Sequence, residues 1–227
     1  MTKNFIHREG RMKRIQKLFG VVLAAAVFVG VTASSDVDKA EVGFVPIFNG
    51  KDLTGIKLFN VPESTYQIQE GVLMCSGRPN GYWHTEKSYK NYVLRFDWRY
   101  KRPEGLQNDA DFRGNSGYLV HITGEHKIWP KCVEVQGMNR DAGIFLPLGG
   151  VKINHHRDDA AKRAAIRPVG EWNEMEIISL NGAIISRING QVIAFGTNCD
   201  VMSGPIGFQS EGAEIHWRNV RIKELPE

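Results

Sequence analysis

Strand periodicity would gather two carboxylates and three side-chain amides of this sequence onto one surface. In Cys132-Val133-Glu134-Val135-Gln136 the valines alternate, so if they face a core, Glu134 and Gln136 turn together to the opposite side. In Ile206-Gly207-Phe208-Gln209 the same rule turns Ile206 and Phe208 inward and Gln209 outward, and Glu211 follows on the outward parity. Arg113-Gly114-Asn115-Ser116-Gly117 enters a further run, its glycines permitting close backbone approach while Arg113 and Asn115 offer donors. Paired carboxylates can work as general base and general acid. Amides and a guanidinium beside them make the directed hydrogen bonds that hold a polyhydroxylated ligand.

Other polar residues have competing structural uses. Asp97 shares the outward side of Tyr92–Tyr100 with Arg95 and Arg99, where a cross-strand charge ladder is as good a reading as a site. His121 and His216 fall on outward strand parity and are reserve acid-base groups. His155-His156 are adjacent and read as a solvated loop. Trp83, Trp129 and Trp172 offer rings on which a pyranose could stack. HExxH, HxH and CxxC spacings are absent, so no metal ligands are assigned and no cofactor is identified. GxSxG, a P-loop and a dinucleotide fingerprint are missing as well, which removes support for serine hydrolase, NTPase and dehydrogenase readings.

The elements that must position these groups are strands. Tyr92–Tyr100 alternates aromatic or aliphatic residues with polar ones along its length. Asn-Gly, a strong hairpin signal, occurs at residues 49, 80, 181 and 189. The last two join the runs 173–180, 183–188 and 191–195 into a meander. Further strands are expected at 66–69, 72–75, 116–122, 131–137, 205–209 and 215–223. Asp158–Ile166 alone resembles a helix. The pattern predicts an all-β fold, two antiparallel sheets packed as a sandwich or jelly roll.

The first segment reads as an export signal. Lys3, Arg8, Arg11, Lys13, Arg14 and Lys17 precede the uncharged run Leu18 to Val31, and Val31-Thr32-Ala33 presents small residues for cleavage after Ala33. Residues 34–43 are a short leader and 44–227 a single domain, periplasmic or secreted. Residues 1–33 hold six of the 29 basic residues and one of the 25 acids, so the remainder carries 23 against 24, a formal charge of −1. The basic balance belongs to the leader, and nucleic acid and membrane are discarded as partners of the mature domain. Cys75, Cys132 and Cys199 allow at most one disulfide and are read as three structural thiols.

An ordered set of strings adds a resemblance. FNGKDLTG (48–55), GNSG (114–117), VEVQ (133–136), GEWN (170–173), ING (188–190), GFQSEG (207–212) and WRNV (217–220) occur in the order seen in the 3-keto-disaccharide hydrolase family, over roughly Phe44 to Leu225. Glu211 stands where many relatives carry histidine, and Trp217 where phenylalanine is common. The resemblance implies a concanavalin-like or laminin-G-like jelly roll and a substrate already oxidised to a ketone at C3. The ketone acidifies the C2 hydrogen, so a base can remove it, the C1 substituent can leave by β-elimination, and water can add. On that reading Glu134 and Glu211 are base and acid in either order, and Arg113, Asn115, Gln136 and Gln209 orient hydroxyls or the ketone, with His216 and Asp97 in reserve. Direct hydrolysis of an ordinary glycoside and a noncatalytic carbohydrate-binding module on the same sandwich stay open as alternatives.

Overall fold

The computed structural model describes residues 41–226. The expected export signal therefore lies outside the described residues; within them, no helix is long and apolar enough to cross a membrane. In chain order the strands are β1 (Val45–Pro46), β2 (Ile56–Phe59), β3 (Tyr66–Gln69), β4 (Val72–Cys75), β5 (Gly81–Thr85), β6 (Tyr92–Tyr100), β7 (Gly117–Thr123) and β8 (Lys131–Gln136). They continue as β9 (Phe145–Leu148), β10 (Asn154–Arg157), β11 (Asn173–Leu180), β12 (Ala183–Ile188), β13 (Gln191–Thr197), β14 (Gly207–Ser210) and β15 (Ile215–Glu224). Helix α1 (Asp159–Ala165) starts at Asp158, whose carboxylate accepts from the Ala160 and Ala161 amides at 2.9 and 2.8 Å.

The strands form two antiparallel sheets. The large sheet runs β10-β13-β12-β11-β6-β15-β4-β3, with β1 paired to β15, and the small one runs β2-β5-β14-β7-β8-β9. This is the expected sandwich. Its core is set by alternation: Tyr92, Leu94, Phe96, Trp98 and Tyr100 of β6 are each at most 1 % exposed, whereas the residues between them are half-buried. On the inner face of the small sheet Trp83 of β5 stacks on its neighbour Phe208 of β14 at 4.1 Å, and across the interface Trp217 of β15 stands edge-on to both. Truncating a ring such as Phe208 would cost about 3–5 kcal/mol in lost transfer energy and residual cavity.

Turn chemistry explains the meander. Asn181-Gly182 and Asn189-Gly190 each place two successive residues at positive φ, the type I′ geometry that closes a two-residue hairpin. Asn49 instead folds its side chain back onto the amides of Lys51 and Asp52 at 2.8 and 3.0 Å, and Gly81 opens β5.

Two readings are corrected, and one strand central to the site was not expected. His155 and His156 are not in a loop: they lie on β10, an exposed edge strand paired to β13. His121 departs from the outward parity because the β7–β8 register shifts between Val120 and Thr123, and His121 takes φ 58°. The bulge turns its imidazole inward, to the carbonyls of Val201 (3.0 Å) and Lys90 (3.2 Å), and burial pushes it toward the neutral form. Strand β5 did not show in the pattern because Gly81–Thr85 is buried on both faces, leaving no alternation to read. Its second face is covered where the loop 124–130 crosses the outside of the small sheet. There His126 stacks on His84 at 4.5 Å and hydrogen-bonds the Tyr82 hydroxyl at 2.8 Å. Tyr82, Leu119, Ile122 and Cys132 form a small apolar cluster on that outer face. All three cysteines are free and buried, as structural thiols.

Candidate active site

The outer face of the small sheet carries the polar groups that strand parity predicted. Strand β8 presents Glu134 and Gln136 there because Val133 and Val135 fill the core. Strand β14 presents Gln209 because Phe208 does the same, and Gln209 lies beside Tyr82 of β5. Between them runs β7, with Gly117 opposite Gln136 and Leu119 opposite Glu134. A Cβ on Gly117 would stand 2.3 Å from Oε1 of Glu134 and 2.3 Å from Oε1 of Gln209. The two side chains therefore share the volume of one missing methyl group. The glycine serves as the gap into which the carboxyl and amide fold.

Asn115 and Glu211 close one end of this face. Their backbones pair as an isolated antiparallel bridge just before β7 and just after β14. The Asn115 amide and the Trp129 indole, which is 54 % exposed, both lie close enough to Glu211 to stabilise its charge. Trp129 belongs to the same loop, 124–130, that His126 anchors. Of the three tryptophans considered as platforms, it alone borders the carboxylates. Trp83 is a core ring, and Trp172 lies against the guanidiniums of Arg99 (4.5 Å) and Arg218 (4.3 Å).

The two carboxyls have unlike surroundings. Glu134 is 4 % exposed, and burial, with the Glu211 charge adding to it, pushes its pKa up to about 8. Burial also raises Glu211, but the Asn115 and Trp129 donors oppose it. Burial thus favours the protonated form of both carboxyls, and Glu134, more buried and without such donors, is shifted the further, so their environments set the two apart. Gln136 is also buried, its Oε1 accepting from the Met138 amide at 2.7 Å. Oε1 of Gln209 and Oδ1 of Asn115 are buried and find no donor among the described residues.

Glu134, Gln136, Gln209, Asn115 and Glu211 are thus brought together; Asp97 and His216 are not. Asp97 lies on the outer face of the large sheet, paired with Arg218 Nε at 2.9 Å and Asn219 at 2.8 Å, the charge ladder that its strand allowed. His216 sits on that same face opposite Arg99 and bonds Glu214 at 2.8 Å. Trp217 fills the core, so its neighbour His216 must point away from both core and small sheet. Arg113 is exposed and donates to the Ala110 carbonyl at 2.5 Å. With Lys101, Gly114, Gly212 and Glu214 it lines a cleft of about 550 Å³ next to the chain segments that carry Asn115 and Glu211. Sequence reasoning passed over Tyr82, His84 and His126; the first two lie in the strand whose alternation is hidden. Among the described residues no three His, Cys, Asp or Glu side chains gather as a metal-ligand group.

A two-sheet jelly roll with a pair of carboxyls in unlike surroundings on one sheet face has the layout of a glycosidase-type hydrolase. The chain belongs to the family of 3-keto-α-glucoside-1,2-lyase-like domains, whose model matches residues 43–223. It is 23 % identical to a 3-keto-disaccharide hydrolase of Bacteroides thetaiotaomicron over 81 % of this chain and 79 % of that protein. Among solved structures, a candidate glycosyl hydrolase of Parabacteroides distasonis superposes with a TM-score of 0.61 at 22 % identity, covering 81 % of this chain and 94 % of that one. A carbohydrate-binding module of Bacillus subtilis, CBM66, superposes with a TM-score of 0.52 at 10 % identity, covering 76 % of this chain and 98 % of that one. At these identities the two structures establish the shared jelly roll.

Proposed function

We propose that this protein, exported after removal of residues 1–33, cleaves 3-keto-glycosides by elimination followed by hydration. The observation that carries the reading is the pair of unlike carboxyls, Glu134 and Glu211, at one end of the small sheet's outer face. The ionised Glu211 removes the C2 proton, and the electron pair moves into the C2–C3 bond as the C3 oxygen takes enolate charge. The enolate then collapses to a C1–C2 double bond and breaks the bond from C1 to its oxygen. Glu134 gives its proton to the departing oxygen. Water adds to C1 of the unsaturated ketone and a proton returns to C2, so the overall change is hydrolysis. Release before hydration makes the same chemistry a lyase.

The amides of Gln136, Gln209 and Asn115 supply donors and acceptors for the sugar oxygens, and Trp129 offers a ring face at the border of the site. A binding module would need a flat aromatic platform and no use for an acid buried beside a carboxylate, which favours catalysis here. The test offers a glucoside and its 3-keto form to the purified domain. Turnover of the keto form alone is expected. Turnover of both would indicate ordinary hydrolysis, and binding of either without turnover would indicate a module.

A further inference from the structure

Gln209 is 2 % exposed, yet its Oε1 finds no donor among the described residues. A buried amide oxygen left unpaired costs on the order of 1–3 kcal/mol, so its presence asks for an explanation. Oε1 of Glu134 is close by: it and the Gln209 oxygen each lie 2.3 Å from the point where a Gly117 Cβ would stand. As an ionised carboxylate Glu134 would be a second acceptor, and neither oxygen would gain. As a carboxylic acid it becomes the donor that Gln209 lacks.

We infer that Gln209 is a positioning residue for Glu134: its amide oxygen accepts a hydrogen bond from the carboxyl proton, holding Glu134 in its acid form and fixing the orientation of the carboxyl in the resting protein. The role rests on the function proposed above, in which Glu134 must enter the reaction protonated. The strand supports it mechanically. Gln209 is anchored at its own carbonyl by the Ser116 hydroxyl at 2.9 Å, and β14 is paired on both sides, to β5 and β7. The titratable groups that Glu134 meets are Glu211, the Cys132 thiol on its own strand, and the Tyr100 hydroxyl from the core side. None of these already donates to the Gln209 oxygen. Burial favours the same protonated form of Glu134.

The test is a titration that does not depend on turnover. Protein labelled with ¹³C at the glutamate side-chain carboxyls is followed by NMR against pH, and the Glu134 signal is identified by its loss in Glu134→Gln. The same titration is run on Gln209→Met, which keeps the volume and removes the acceptor. Losing a bond made only to the acid form moves the Glu134 step to lower pH, by about one unit for an ordinary hydrogen bond. A step that stays in place would reduce Gln209 to packing, and a step that moves up would mean that its amide N–H group donates to the carboxylate. Either result overturns the inference. Because the titration reads the resting protein, absence of keto-glycoside turnover refutes the proposed function without deciding this one.

Discussion

Replacing Gly117 by alanine probes the site through a single methyl group. Gly117 is outside the left-handed region, so alanine meets no backbone strain, and its Cβ would collide with site atoms: Oε1 of Gln209 and Oε1 of Glu134 at 2.3 Å and Cδ of Glu134 at 2.8 Å. Ordinary contacts need about 3.5 Å, so each oxygen must retreat by about 1 Å. Both side chains are buried, and the carboxyl has to rotate away from where it now lies. A displacement of about 1 Å in a reacting group costs on the order of 10²-fold in rate. Overpacking costs about 1–3 kcal/mol, a few degrees in Tm for a domain of this size. Gly117→Ala should therefore melt cooperatively near the parental temperature while kcat/KM on a 3-keto-glucoside falls about 10²-fold. Parental activity in the folded variant would refute the geometry assigned to Glu134 and Gln209.

Glu134→Gln keeps the volume but removes the transferable proton, and should lose ~10²-fold or more in kcat on the keto sugar. The same variant has a stability signature. Glu134 is raised from 4.5 to about 8 in the folded chain, so between those values the native state holds a proton that the unfolded state has lost, and stability falls as pH rises. Melting temperatures should thus shift in favour of Glu134→Gln from about pH 5 to pH 8, and a constant difference would show that the carboxyl is not perturbed. Asp97→Asn and His216→Ala, on the large sheet's outer face, should leave kcat/KM at the parental value; a large loss in either would place the site on the wrong sheet. Mass spectrometry of the protein from its native envelope should show a chain beginning after Ala33, and recovery of the intact chain would refute processing there.

The strand alternation that identifies β6 and β8 also identifies which side of each strand faces away from the core, and this was enough to gather Glu134, Gln136 and Gln209. Alternation says nothing about which sheet a strand joins. Asp97 and His216 satisfied the outward rule as well as Glu134 did, but β6 and β15 are central in the large sheet, so their outward face is the opposite side of the molecule. His121 illustrates a second limit: one extra residue in β7 inverts the parity beyond it, and nothing in Val120-His121-Ile122 announces the bulge. The third is burial on both faces. Tyr82 and His84 escape notice because the loop carrying His126 and Trp129 covers the outer side of β5, and that tertiary contact leaves no period in the sequence. The Asn-Gly pairs that close the β11–β13 meander were legible because positive φ at two successive positions is a local demand that asparagine and glycine meet at little cost.

In the proposed reaction the C2 proton is removed before the glycosidic bond is lost, and deuterium reports this order of events. A 3-keto-glucoside is cleaved by the purified domain in D₂O and the sugar product is examined by NMR at C2 at early times, against a control for uncatalysed exchange. Elimination and hydration place solvent deuterium at C2 of every product molecule. Product that retains its C2 hydrogen would mean that the C1 bond is broken by direct displacement, and Glu211 as base and Glu134 as acid would then be the wrong roles.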